Sequence, residues 1–217
     1  MNENMAIIDK LPLHPKNKLK IYHRYLLAKI SWDLTVAEIT QTWLKNNVDN
    51  IISKYVRSWL EIPISGNLEG ISVGKSKFGF NFVKISSRGF QCQTTFRNKI
   101  ATSPNADIRQ IHENTKVKCN IQYDQYKSTR EVIKQIRKGS EIRISLMTTQ
   151  GLVMKSIWEH SWGNVTNFWH KAVSRLPKNI YSFVTRYLNN TLANGTNTFK
   201  WRTSQTTTVG CVVEMRL

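Results

Sequence analysis

Apolar residues recur at three- and four-residue spacings along most of the chain, which predicts helices in preference to strands. Leu11-Pro12-Leu13-His14-Pro15 interrupts the pattern early, because each proline pushes its predecessor toward extended geometry. Leu19, Tyr22, Leu26, Leu27 and Ile30 then form the first helical series. Thr35 and Glu38 have the spacing of a capping box, so a second helix is expected to start there and to break near Asn46-Asn47. Val48, Ile51, Ile52, Tyr55, Val56, Trp59 and Leu60 make the clearest apolar stripe, ending before Pro63. Lys54, Arg57 and Ser58 lie on its opposite face.

Residues 66–84 change character. Four glycines and the alternation Phe78, Phe80, Phe82 suit a short hairpin or an extended arm with three rings on one side. Those rings either pack onto the helices or offer a base-stacking platform. Helical periodicity resumes at about 88–102, 105–113, 128–138, 140–160, 164–175 and 177–193, with Ser128-x-x-Glu131 as a second capping box. Trp158, Trp162, Phe168 and Trp169 are expected to form a local core. The fold class is therefore mainly α. A helical segment spans 1–63, a Gly/Phe-rich β-hairpin or extended connector 64–87, and a second helical region 88–193. A Thr-, Asn- and Gly-rich tail, 194–217, is expected to lack order.

Charge narrows the function. The 217 residues carry 32 Lys+Arg against 14 Asp+Glu, a net charge of +18. Such a surplus attracts polyanions. Its distribution is sharper than its total. Between Gly70 and Ala106 no acid interrupts Lys75, Lys77, Lys84, Arg88, Arg97 and Lys99. From His160 to Val213 none interrupts Lys171, Arg175, Lys178, Arg186, Lys200 and Arg202. An ordinary surface mixes both signs, so nucleic acid is the first candidate partner. A membrane surface ranks last, because the basic residues are not gathered on one sharply amphipathic helix and no run nears the roughly 20 apolar residues of a membrane span. Met1 to Lys10 has no secretory-signal pattern. Three widely spaced cysteines, Cys92, Cys119 and Cys211, suit a reducing, intracellular compartment, nucleus or cytoplasm.

No independent active site is expected. The acids are scattered singly, without the Asp-Asp or Asp-x-Asp pairing of two-metal enzymes, and no phosphate-binding loop or His-Glu-x-x-His occurs. The five histidines show no ligand spacing, so neither metal nor cofactor is expected.

The run Leu11-Pro-Leu-His-Pro-Lys-Asn-Lys-Leu-Lys-Ile-Tyr22, followed by Tyr25-Leu-Leu-Ala-Lys-Ile-Ser-Trp-Asp-Leu-Thr-Val-Ala37, resembles the region just after the catalytic palm in LINE-type (non-LTR) retrotransposon reverse transcriptases. The likeness continues through Thr42-Trp43, Tyr55-Val56-Arg57, Trp59-Leu60 and Lys77-Phe78-Gly79. Gln91-Cys92-Gln93-Thr94, Asn120-Ile121-Gln122-Tyr123-Asp124 and Arg186-Tyr187-Leu188-Asn189-Asn190 also look like that family's post-polymerase region. The resemblance implies a helical thumb over 1–63 that grips template and primer by the backbone. It also implies that the fingers and palm, with their Tyr-x-Asp-Asp carboxylates, would lie upstream of Met1. The family's Cys/His zinc knuckle would follow Lys200-Trp201-Arg202, where only Cys211 stands, one ligand of the usual four. The expectation is a non-catalytic fragment that binds RNA, DNA or their hybrid, with Lys45, Lys54, Arg57, Lys75, Lys77 and Arg97 contacting phosphates. Two alternatives stand beside it: a thumb lent to a palm on another chain, and an inert transposon relic.

Overall fold

The first helix, α1 (Asn2–Lys10), ends at Leu11, whose ψ of 133° is the extended geometry Pro12 imposes. The computed structural model describes residues 1–37, 39–116, 128–160, 168–169 and 171–192. Pro15 occupies the first position of α2 (Pro15–Ile21), where its missing amide costs nothing. His14 caps that helix: Nδ1 accepts from the Lys16 amide at 3.1 Å, and Nε2–H donates to Leu176 O at 3.1 Å. A π-helical turn (Tyr22–Leu26) joins α2 to α3 (Leu27–Val36) in one run.

Two expectations fail here, both at polar side chains. Thr35 does not cap a new helix, because its hydroxyl donates to Ser31 O inside α3, and Glu38 lies outside the described residues. The cap is Thr40, whose Oγ1 accepts from the Trp43 amide at 3.2 Å and opens α4 (Gln41–Trp43). Nor does the helix break at Asn46-Asn47. A second π-helical turn (Leu44–Asp49) carries it into α5 (Asn50–Leu60). Asn47 and Asn50 donate to Trp43 O and Asn46 O, four residues back, so these amides tie into the helix instead of ending it.

The stripe on α5 buries Ile52, Val56, Trp59 and Leu60. Glu61 then turns left-handed (φ 55°), and the amides of Glu61 and Ile62 donate to Ser58 O and Arg57 O, a Schellman ending. The short α6 (Glu69–Ser72) and a 3₁₀ turn (Lys75–Lys77) follow.

The expected β-hairpin is absent, and no strand occurs among the described residues. Phe78 and Asn81 are both left-handed, which breaks the two-residue alternation a strand requires. The amides of Phe80 and Phe82 both donate to Ile71 O, at 3.0 Å each, so the segment folds back on α6 as an irregular loop. The rings do not share a side. Phe78 tilts against Trp169, Phe80 stacks on Tyr181, and Phe82 stacks on Tyr22.

Beyond it run α7 (Ile85–Ala101), α8 (Ala106–Lys116), α9 (Thr129–Leu146), α10 (Leu152–Glu159) and α11 (Lys178–Leu188). Ser128 caps α9 by accepting from the Glu131 amide, as its sequence spacing predicts. The break expected near residue 139 lies instead at 147–151. There Gly151 approaches Ile144 O so closely that a Cβ would sit 2.2 Å from it. Phe168 is exposed instead of core-forming, and Trp162 lies outside the described residues.

One apolar cluster gathers Met5, Tyr22, Leu34, Val56, Trp59, Ile71, Phe82 and Tyr181, and so joins the first helices to α6, the Phe loop and α11. A smaller one holds Val73, Phe78, Ile144, Met154 and Leu188, with Trp169 packed against both. The protein is mainly helical. No helix of the described residues is long and apolar enough to cross a membrane.

Candidate nucleic-acid interface

Lys16, Lys20 and Arg24 recur at four-residue spacing along α2 and its π-helical turn, which aligns them on one side. Lys75 reaches the same place from the 3₁₀ turn. Together they edge a groove of about 340 Å³ whose lining includes Leu19, Gly79, Phe80, Val173 and Tyr181. Phe80 lies face to face with Tyr181 (centroids 5.3 Å apart, 19° between planes). Lys20, Arg24 and Lys75 are exposed, while Lys16 is half-buried and donates to Ser174 O. Among the described residues no Asp or Glu lines the groove. Lys18, two positions out of phase, points away to Asp9 O and packs over Trp59.

Gly79 makes this close packing possible. A Cβ on it would meet Val73 O at 2.2 Å, so Phe78 and Phe80 can flank the chain only because nothing stands between it and α6.

Two features fix the local electrostatics. His23 ends the groove, with its ring edge-on to Tyr22 and Phe82. Burial lowers its pKa to about 4, so it is neutral at pH 7 and the positive charge belongs to the lysines and arginines. Behind the groove, Asp49 accepts from the Ser86 hydroxyl (2.5 Å) and amide (3.2 Å), pinning the start of α7 to the second π-helical turn. Burial raises the Asp49 pKa more than these bonds lower it.

The His23 shift makes a pH prediction. Its folded pKa, about 4, lies below its ordinary 6.5, so the unfolded chain binds more protons between those values. Stability from this group is complete above pH 6.5 and falls as the pH drops toward 4. At pH 5 the expected loss is about 2 kcal/mol. His14, lowered mainly by burial, acts in the same sense, and Asp49 opposes it. The contribution of His23 is therefore read as the difference in pH slope between the natural chain and His23→Phe in urea unfolding at pH 7.5 and 5.0. Equal slopes would show that His23 does not titrate as its burial demands.

Of the six sequence-predicted contacts, Lys75 lines the groove. Lys45 and Lys54 are exposed on the second π-helical turn and on α5. Arg57 is half-buried and donates to Pro63 O (2.8 Å) and Gly66 O, closing the loop after α5; burial lowers its pKa from the ordinary value. Lys77 lies 5.2 Å from the Trp158 ring centroid, and Arg97 is half-buried on α7. Sequence reasoning passed over Lys16, Lys20 and Arg24, although their four-residue repeat was visible. It also passed over the exposed row Arg130, Lys134 and Lys138 on α9, which has the same spacing.

Among the described residues no three His, Cys, Asp or Glu side chains converge as a metal site requires. Cys92 is a half-buried thiol packed against the main core. The sequence matches no family model and no curated protein.

Proposed function

We propose that this chain binds nucleic acid by its phosphate backbone and has no catalysis of its own, in the manner of the thumb and following segment of a non-LTR reverse transcriptase. One observation carries the reading: four basic side chains from two stretches of the chain meet on one groove whose lining, among the described residues, holds no carboxylate. Such a site attracts any phosphate chain and releases its counterions, without reading sequence. The stacked, largely covered Phe80–Tyr181 pair serves as a floor, so backbone contact is favoured over base stacking.

The test is fluorescence anisotropy with an RNA–DNA hybrid, single-stranded RNA and heparin over a salt series. Four contacts give a log–log salt slope of about −3.6 on a duplex. Lys20→Glu/Arg24→Glu is expected to flatten the slope by about 2 and to weaken binding by at least about 10-fold. Hybrid preference over heparin supports a thumb-like grip. A flat salt response in the natural chain overturns the reading.

A second reading has its own observation. Tyr25, Trp32 and Val36 share a stripe of α3 and the turn before it, and are 70%, 71% and 52% exposed. A thumb lent to a separate polymerase palm would cover such a face. Capture of a polymerase-competent partner by the natural chain, lost in Trp32→Glu, distinguishes this from free nucleic-acid binding.

A further inference from the structure

Across His23 and Asn81 from the groove lies a second cleft, of about 290 Å³, between α3, residues 81–84, α7 and α9. Its size is at the small end for ligand sites. Lys84, Arg88, Arg137 and Arg143 all line it. Their partners leave most of that charge uncompensated. Glu69, behind the lining, takes Lys84 (2.5 Å) and Arg143 (2.8 Å) together. Arg88 donates to the neutral partners Ser31 and Gln91. Arg137 pairs with no acid among the described residues. Among the described residues the four cations thus face Glu69, with Asp49 acting on Lys84 from farther off.

The lining also holds two polar atoms that the fold leaves unsatisfied. Ser72 is 8% exposed and its hydroxyl has no hydrogen-bond partner; Asn81 Oδ1 is buried and equally unpartnered. Orphaned polar atoms of this kind are uncommon and costly, and both belong to residues of the cleft wall. The Ser72 hydroxyl has a proton free to donate to an anion's oxygen once its cover is displaced.

We propose that this cleft is a seat for a phosphate monoester. A monoester has nearly two negative charges at neutral pH, against one for a backbone diester, so a concave site with an excess of positive charge selects it. Arginine forks match phosphate oxygens in pairs, which favours phosphate over a smaller anion. Two sources share that chemistry, the phosphorylated end of a strand and a free nucleotide. The seat does not rest on the groove, since its charges come from different side chains.

The experiment uses the full chain. Calorimetric titrations compare an end-phosphorylated oligonucleotide, the same strand with a hydroxyl end, adenosine monophosphate and inorganic phosphate. The expected result is a preference of about 10-fold for the phosphorylated end, or saturable binding of adenosine monophosphate. The first assigns the seat to strand ends and the second to free nucleotide. Arg137→Ala removes a half-buried charge and should abolish the preference; Ser72→Ala should weaken it, with thermal melts confirming that each variant is folded. Equal binding of both strand ends together with no uptake of adenosine monophosphate overturns the proposal. Binding of the hydroxyl-ended strand with neither a phosphate preference nor uptake of adenosine monophosphate keeps the groove and removes the seat. Uptake of adenosine monophosphate without strand binding does the reverse.

Discussion

Trp59→Ala is expected to destabilise the chain by about 4 kcal/mol, and to lower Tm by about 10 °C. Trp59 is 4% exposed on α5, where that helix meets α1. Its indole Nε1 donates to Asp9 Oδ1 at 2.7 Å, and Lys18 Nζ lies 5.9 Å from the ring centroid. Alanine would remove the packing, the bond and the cation–π contact together. Trp59→Phe keeps most of the packing and is expected to cost only about 1–2 kcal/mol, since Asp9 is exposed enough to be hydrated. Urea unfolding of both variants separates cavity from hydrogen bond. A cost for alanine below about 1 kcal/mol would mean that α1 does not dock on α5 through this ring.

Trp59 also shows what the sequence made legible. Its stripe, from Val48 to Leu60, has one period and one apolar face, and periodicity alone is enough to place a helix and its buried side. The helix over 85–101 and the start of the one at 128 were readable for the same reason, whereas the break expected near 139 lies at 147–151. The misreadings occur where a side chain had two uses. Thr35, Asn47 and Asn50 are residues that cap or interrupt helices, yet here each bonds a carbonyl four residues back and lets the helix continue. The Phe78-Phe80-Phe82 alternation suggested a strand because spacing does not reveal φ. Two left-handed residues send the rings to Trp169, Tyr181 and Tyr22 instead.

The proposed binding surface was legible in sign but not in place. The acid-free stretch from Gly70 to Ala106 does supply Lys75 to the groove and Lys84 and Arg88 to the cleft. The other charges come from α2 and α9, about 60 residues away on either side, and no local pattern joins them. Arg57 illustrates the opposite error: it sits on the outer face of a helix, but its guanidinium has been taken up by Pro63 O and Gly66 O. Exposure on a helical wheel did not disclose a carbonyl waiting nine residues further on.

The same limit hid Glu69, one of the scattered acids, and its replacement tests the frame behind both sites. Glu69→Ala is expected to cost about 3 kcal/mol at neutral pH. The carboxylate, at the first turn of α6, accepts from Lys84 at 2.5 Å, and from Ser140 and Arg143 at 2.8 Å each, binding α6 to the start of α7 and to α9. Burial alone would raise its pKa; Lys84, with the bonds from Arg143 and Ser140, brings it below the ordinary 4.5. A carboxylate with a lowered pKa adds stability above 4.5 that is lost as the pH falls through its folded value, so the deficit of the variant should shrink in acid. Arg143 is 54% exposed and Lys84 30%, so both can be partly hydrated once bereft, which holds the cost at the low end for a broken buried pair. Glu69→Gln keeps the volume and part of the Ser140 bond, and should fall between. Below its Tm, the alanine variant leaves the cleft with one negative charge fewer, so inorganic phosphate should bind it more tightly than it binds the natural chain. Full stability in Glu69→Ala at neutral pH would remove the carboxylate as the tie between these helices. Weaker phosphate binding in a folded variant would instead show that Glu69 acts by holding Lys84 and Arg143 in position, not by offsetting their charge.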